Sequence, residues 1–358
     1  MELSGLTALG FIKIFFNEKF MQNDVYCSSG EGKENMKIVL EKALKDCNIS
    51  GKNILIKPNA VNPDNSIVCS NYETIQNIVD VLLKYDAGKI IIGDEPAGYN
   101  FYEAMKDTKK FDIFEAYEKL GYDKIMNAKL VSLEDFKLTQ CRCKCIVTKM
   151  NHSYFMPIRN FSEYLLVSLS LPKNHGQFNY TGAIKNNMGL VPHDDRGNFF
   201  HSNLGNLDEL IAEQNPAVIF IIKQLIDKKL TNDNLTVNYQ LDHLANAGSL
   251  VSLNNYIKSL KGIHLMDGTY FVQGNETAGT QLKTDFAIAG FNPSFVDYVA
   301  MQKLGINIEE VLYAYLCDDY SKMNIIGNLG EFLPKKSVLQ KELVNTSHGS
   351  FSSVKINQ

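Results

Sequence analysis

YLLVSLSLPKNHGQFNYTGAIKNNMGLVPHDDRGNFFH, residues 164–201, contains a sharp change of character. Tyr164 to Leu171 is an unbroken apolar run with two serines, the pattern of a strand buried on both faces. The segment after Leu171 is polar and punctuated by four glycines. It gathers Lys173, His175, Lys185, Asn186, Asn187, His193 and His201, including three of the seven histidines of the chain. Such residues make a poor core and a good site. In open α/β sheets the crevice beyond the carboxyl ends of the strands is where ligands bind.

Two further strands are readable upstream. Asn53 to Lys57 (NILIK) is cut by Pro58, and Lys89 to Ile92 (KIII) runs into Gly93-Asp94-Glu95-Pro96. Between them, Asn71 to Tyr85 carries Ile75, Ile78, Val79, Leu82 and Leu83 at helical spacing, with Glu73 at the positive N-terminal end. Strand, helix, strand in this rhythm predicts a βαβ unit and a parallel sheet. Parallel strands deliver their ends to one edge, so Lys57, Asn59 and Asp94 are expected in one crevice. The strand beginning at Gly262 ends in Asp267, another acid for that rim. The expected fold is therefore α/β: a mixed, mainly parallel sheet with helices on both faces, and a cleft that two lobes could flank.

The rest of the chain is read more coarsely. Residues 1–50 form an N-terminal segment packed on the core, with a helix from Asn35 to Asp46. Residues 51–305 form the main α/β domain. Within it, Phe111 to Leu120 is a helix, Cys143 to Lys149 a strand of an antiparallel excursion, Asn206 to Asp227 helical, and 227–260 an insertion that could be a lid or a partner surface. Ala183 to Met188 is a helical turn with Thr181 as its N-cap. Asp285 to Ala289 is a strand and Pro293 to Leu304 a helix. Residues 306–344 hold a further helix and strand, and 345–358 are an expected disordered tail.

Composition narrows the function classes. The chain has 358 residues, 45% hydrophobic and 21% charged, which suits a globular protein with an ample core. A net charge of −4 argues against a general nucleic-acid binder. No apolar run approaches a membrane span. The partly apolar opening, MELSGLTALGFIKIFFNEKF, lacks a basic leader and a small-residue cleavage site, so no signal peptide is expected. Seven scattered cysteines then imply reduced thiols and a cytoplasmic location.

The candidate chemistry centres on the polar loop. Lys173, His175 and Lys185 are favoured as functional: Lys185 could bind a carboxylate or phosphate, or act as a base if desolvated. Thr181 and Gly182 lie where backbone amides could approach an anion. Asn186 and Asn187 could polarise a substrate oxygen, or merely close a turn. His175, His193 and His201 are candidate ligands for a divalent metal, though their spacing matches no named zinc pattern. His201 is also a candidate for proton transfer. Asp94 or Asp267 could orient a base. Asn275, with Gly274 and Thr277 to Gly279, could cover a substrate from another side. Asp297 sits on an apolar helix and is read as a partner for a backbone amide or a basic residue. Cys141, Cys143 and Cys145 repeat with period two, which suits one face of a strand and not an iron–sulfur cluster. Neither a dinucleotide fingerprint nor a P-loop occurs.

The order of motifs, NILIKPNAV (53–61), KIIIGDEPAG (89–98), the central PKNH and TGAIKNNMGLVP, GIHLMDGTYFVQGNETAG (262–279) and NPSFVDYVAMQKLG (292–305), resembles the domain of unknown function 362 family. The resemblance covers roughly residues 50 to 305 and implies the fold more than the activity. It matches His201 to the family's downstream histidine. Many members also carry a ferredoxin-like iron–sulfur segment, and this sequence has none, so a separate ferredoxin-type partner is one candidate and a second copy of the chain another. The loop is also loosely similar to the Lys- and His-bearing loop of the nickel-pincer lactate racemase family. The expectation is an enzyme acting on a small anionic metabolite by Lys/His acid–base chemistry, with or without a metal; the residues do not choose among isomerase, lyase and oxidoreductase. The alternative is a non-catalytic metal- or cofactor-binding protein, or an accessory protein for a redox enzyme.

Overall fold

The computed structural model describes residues 23–30, 34–45, 47–95, 112–136, 139–144, 151–156, 164–191 and 237–334. The expected helical segment at Asn206–Asp227 and the tail at 345–358 lie outside them, as do His193, His201 and Cys145.

One ten-stranded sheet carries the fold among the described residues, and two lobes are not distinguished. Its centre is parallel: β10 (Ile263–Gln273), β7 (Tyr164–Ser170), β2 (Asn53–Lys57), β3 (Ile90–Ile92) and β4 (Lys129–Leu130) lie side by side in that order. β11 (Thr280–Gly290) returns antiparallel to β10, and β1 (Asp24–Ser29) pairs antiparallel with β11. β12 (Asn324–Gly327) completes that edge, parallel to β1. Two short strands, β8 (Lys173–His175) and β9 (Asn179–Thr181), form a small antiparallel pair that leans on β10. β5 (Thr139–Lys144) and β6 (Asn151–Met156) make a separate antiparallel ribbon.

The apolar strands are buried on both faces, so each alternate residue feeds a different core. Leu55, Ile91, Leu166, Met266 and Ile288 point to one side. Ile54, Ile56, Ile92, Val167, Leu169, Leu265 and Ala289 point to the other. The second side is covered by α1 (Glu34–Leu44) and α2 (Tyr72–Lys84). α2 starts where Asn71 accepts the Glu73 N–H at 2.8 Å. It buries Ile75, Ile78, Val79 and Leu82, but Val81 takes the place expected for Leu83, which is exposed.

The first side carries the chemistry. α4 (Ala183–Asn186), the long α5 (Val237–Ser259), α6 (Pro293–Lys303) and α7 (Leu312–Tyr315) pack there, while α3 (Ile113–Lys119) lies near β3. Ala247, Leu250, Val251, Leu253 and Ile257 of α5 are core residues, so this half of the expected insertion is built into the protein and does not stand off as a lid. Among the described residues no helix is long and apolar enough to cross a membrane.

Candidate active site

The parallel strands β2, β3 and β7 end at one edge, and the residues just past them meet there. Alternation along β2 turns Lys57 to the α4 side, because Leu55 faces that side. Lys57 is 1% exposed, and its Nζ lies 2.6 Å from Asp94 Oδ1. This is an ion pair, and Asp94 Oδ1 accepts no hydrogen bond. Lys57 also donates to Pro58 O at 3.0 Å and Asn186 Oδ1 at 3.2 Å. Asp94 Oδ2 accepts the Ala60 N–H at 2.8 Å. Asn59 Nδ2 donates to the same Asn186 oxygen at 3.2 Å. Asn186 in turn donates to Ser168 Oγ and Leu169 O on β7. Gly189 covers the ion pair so closely that a side chain there would collide with both partners.

Lys173 is the second buried lysine. It donates to Asn59 Oδ1 and Val68 O, each at 2.9 Å. Both acceptors are neutral, and no carboxylate among the described residues lies within ion-pair distance. Burial therefore pushes its pKa down to about 8, with Lys57 adding to the fall and Cys69, Glu276 and Asp94 opposing it.

Lys185 and His175 form the contact that matters most. Their Nζ and Nε2 atoms are 2.5 Å apart. His175 Nδ1 accepts the backbone N–H groups of Gln177 at 3.1 Å and Phe178 at 3.2 Å. An Nδ1 that accepts carries no proton, so the neutral ring holds its proton on Nε2. Nε2–H then donates to Lys185 Nζ, which must supply a lone pair. The contact so read is that of the deprotonated amine, the form Lys185 takes above its pKa. Burial pushes the Lys185 pKa down to about 8, opposed by Glu276 and aided by Lys173. Lys185 is only half-buried, so solutes can reach it. Its nitrogen sits 4.8 Å from the centre of the Phe178 ring.

One residue of this site is missed by sequence reasoning. Glu276 Oε1 stands 3.7 Å from His175 Nε2. Burial raises its carboxyl, but His175, Lys185 and Lys173 outweigh that and hold it below the usual range. Glu276 rides the turn between β10 and β11, which Asn174 and the Asn62 and Asn65 side chains tie down through Gly274 N and Thr277 O. Its only signal is an acid inside QGNETAG. Asp297 is, as expected, a partner for backbone amides. Its carboxylate accepts Ala183 N at 2.6 Å, Ile184 N at 3.0 Å and Tyr180 Oη at 3.3 Å. It thereby holds the turn that presents Lys185. Burial pushes its pKa up to about 7, against the pull of those three donors.

Other expectations are corrected. Thr181 does not cap α4: it ends β9, the N-cap is Gly182 without a side-chain bond, and Asp297 binds the first amides instead. Asp267 is not on the lysine side. Met266 faces α4, so its neighbour faces α2, where Asp267 accepts from Thr74 at 2.9 Å and from Thr269. Asn275 spends its oxygen on Thr277, closing its own turn. Asn187 is fully buried and donates to Ala183 O. With one ring nitrogen accepting amides and the other facing Lys185, His175 offers no lone pair to a metal in this arrangement. Among the described residues no group of three or more candidate ligands converges. A cleft of about 400 Å³ opens on the far side of Asp94, lined also by Glu95, Asp112, Ser132, Glu134 and Asp135; it contains no lysine.

No curated protein matches this chain. The solved structures similar to it include a structural-genomics crystal structure of a Thermotoga maritima protein (TM-score 0.41, 10% identity, 83% of this chain and 61% of that one) and the lactate racemase apoprotein of Thermoanaerobacterium thermosaccharolyticum (TM-score 0.37, 17% identity, 77% and 55%). The chain thus spans about 61% and 55% of their lengths. The family model described as Domain of unknown function (DUF362) matches residues 54–302, a span holding every site residue from Lys57 to Asp297, and the chain belongs to that family.

Proposed function

We propose that the protein is an enzyme acting on a small anionic metabolite, bearing a carboxylate or a phosphate, with Lys185 and His175 as its acid–base couple. The observation that carries this is the 2.5 Å contact between Lys185 Nζ and His175 Nε2, with the histidine tautomer set by the Gln177 and Phe178 amides. A lysine whose proton is made easier to lose by burial, beside a proton-carrying imidazole, is a base with its conjugate donor in place once it deprotonates. Glu276 steadies the positive charge that either group takes up. Lys173, charged and facing neutral acceptors, is the natural anchor for the substrate's anion.

Lys185→Ala is expected to abolish turnover of the substrate found by screening small carboxylates and phosphates, with the far-ultraviolet circular dichroism unchanged. Wild-type turnover in that variant would sink the proposal. Because the amine must be uncharged to act as a base, the wild-type rate should rise with pH through about 8 and then level.

A further inference from the structure

We infer that Lys185 is also a nucleophile: its amine adds to the carbonyl carbon of a 2-oxo acid held by Lys173, and the product is an imine. This inference rests on the proposed function for the same site and names its substrate class.

Four features favour covalent addition over proton transfer alone. Lys185 has no carboxylate within ion-pair distance among the described residues, unlike Lys57 with its Asp94. Its lone pair accepts the His175 Nε2–H, so the proton donor for the carbonyl oxygen already stands beside the nitrogen, and the lone pair is freed for the carbon as that proton turns to the oxygen. The surroundings suit the cation that the imine becomes when protonated: the Phe178 face is 4.8 Å away, and Glu276 Oε2 is buried without a hydrogen-bond partner. Finally, Lys173 offers a buried ammonium bound only to the neutral Asn59 and Val68 oxygens, where a carboxylate adjoining the carbonyl would complete its shell.

The step balances without an external oxidant or reductant. The Nζ lone pair forms the C–N bond as the carbonyl π pair moves to oxygen. The His175 N–H protonates that oxygen and the ring takes a proton back from the nitrogen, giving the neutral carbinolamine. His175 passes this second proton to the hydroxyl, which departs as water as the nitrogen lone pair closes the C=N bond, and the remaining N–H proton returns to His175. The amine loses both its hydrogens overall, so carbonyl plus amine becomes imine plus water.

The test uses the full chain, pyruvate as probe and sodium borohydride to reduce any imine to a stable amine. Intact mass and peptide mapping are expected to show one reduced pyruvyl group on Lys185. Lys185→Arg keeps a long cationic side chain and should carry none, with its melting curve confirming the fold. Lys173→Met should need roughly ten-fold more pyruvate for the same labelling, as befits loss of one charge-assisted contact, while labelling by uncharged acetone stays the same. No adduct on the wild type, or adducts spread over surface lysines, would overturn the inference. If the wild type turns over an acid yet is never trapped, the imine fails and the acid–base reading stands. If Lys185 is trapped but Lys185→Ala keeps full turnover, the reverse holds.

Discussion

Replacing Asp94 by asparagine probes the buried pair on which the strand edge is built. Lys57 and Asp94 side chains are 1% and 4% exposed, so neither charge can turn to water. Asparagine has nearly the same shape. Its carbonyl can keep the Ala60 N–H bond, but its amide then points N–H groups at Lys57 Nζ, donor against donor. Lys57 would retain Pro58 O and Asn186 Oδ1, both neutral. Breaking one side of a buried pair costs about 3–5 kcal/mol. At roughly 2 °C per kcal/mol for a chain of this size, the melting temperature should fall by about 6–10 °C. Thermal melting followed by circular dichroism gives the number, and urea unfolding gives the free energy. Adding Lys57→Met to the variant removes the stranded charge and should recover much of the loss. A single variant that melts within about 1 °C of wild type would refute the claim that the pair is a buried, mutually compensating unit.

Lys173 should make stability depend on pH in an unusual direction. Its folded pKa, about 8, lies below the ordinary 10.5, so the unfolded chain binds more protons between those values and the folded state gains stability as pH rises across them. The difference in urea-unfolding free energy between wild type and Lys173→Met should change by about 3 kcal/mol over that window, and a flat difference would contradict the reading. Asp297→Asn leaves one of the Ala183 and Ile184 amides without its acceptor and should cost about 1–3 kcal/mol. Because that turn carries Lys185, the same variant should move the pH midpoint of the rate; an unmoved midpoint would make Asp297 a purely structural anchor.

Much of the framework was legible because buried strands and amphipathic helices write short-range patterns. NILIK, KIII and YLLVSLSL form β2, β3 and β7, and the 71–85 segment forms α2 with Asn71 at its cap. The meeting of Lys57 with Asp94 was also inferable, since parallel strands end at one edge. Partners far apart in sequence were not. Asn186 reaches Lys57 across 129 positions, and Asp297 reaches Ile184 across 113. Thr181 failed as a cap because β8 and β9 pair through it, a contact that local propensity does not register.

Residue order alone dictates which side-chain types stand at the ends of the parallel strands, because strand polarity and period two are written in the succession of apolar and polar residues. It does not dictate which side of the sheet Asp267 faces, as a shift of one residue reverses every side chain and only the register against β7 and β11 settles it. Nor does it dictate that Lys185 should hold an uncharged amine. That state is favoured by burial and by two loop amides closing on His175 Nδ1, against the charge of Glu276 that a distant hairpin brings beside the same ring, all consequences of packing.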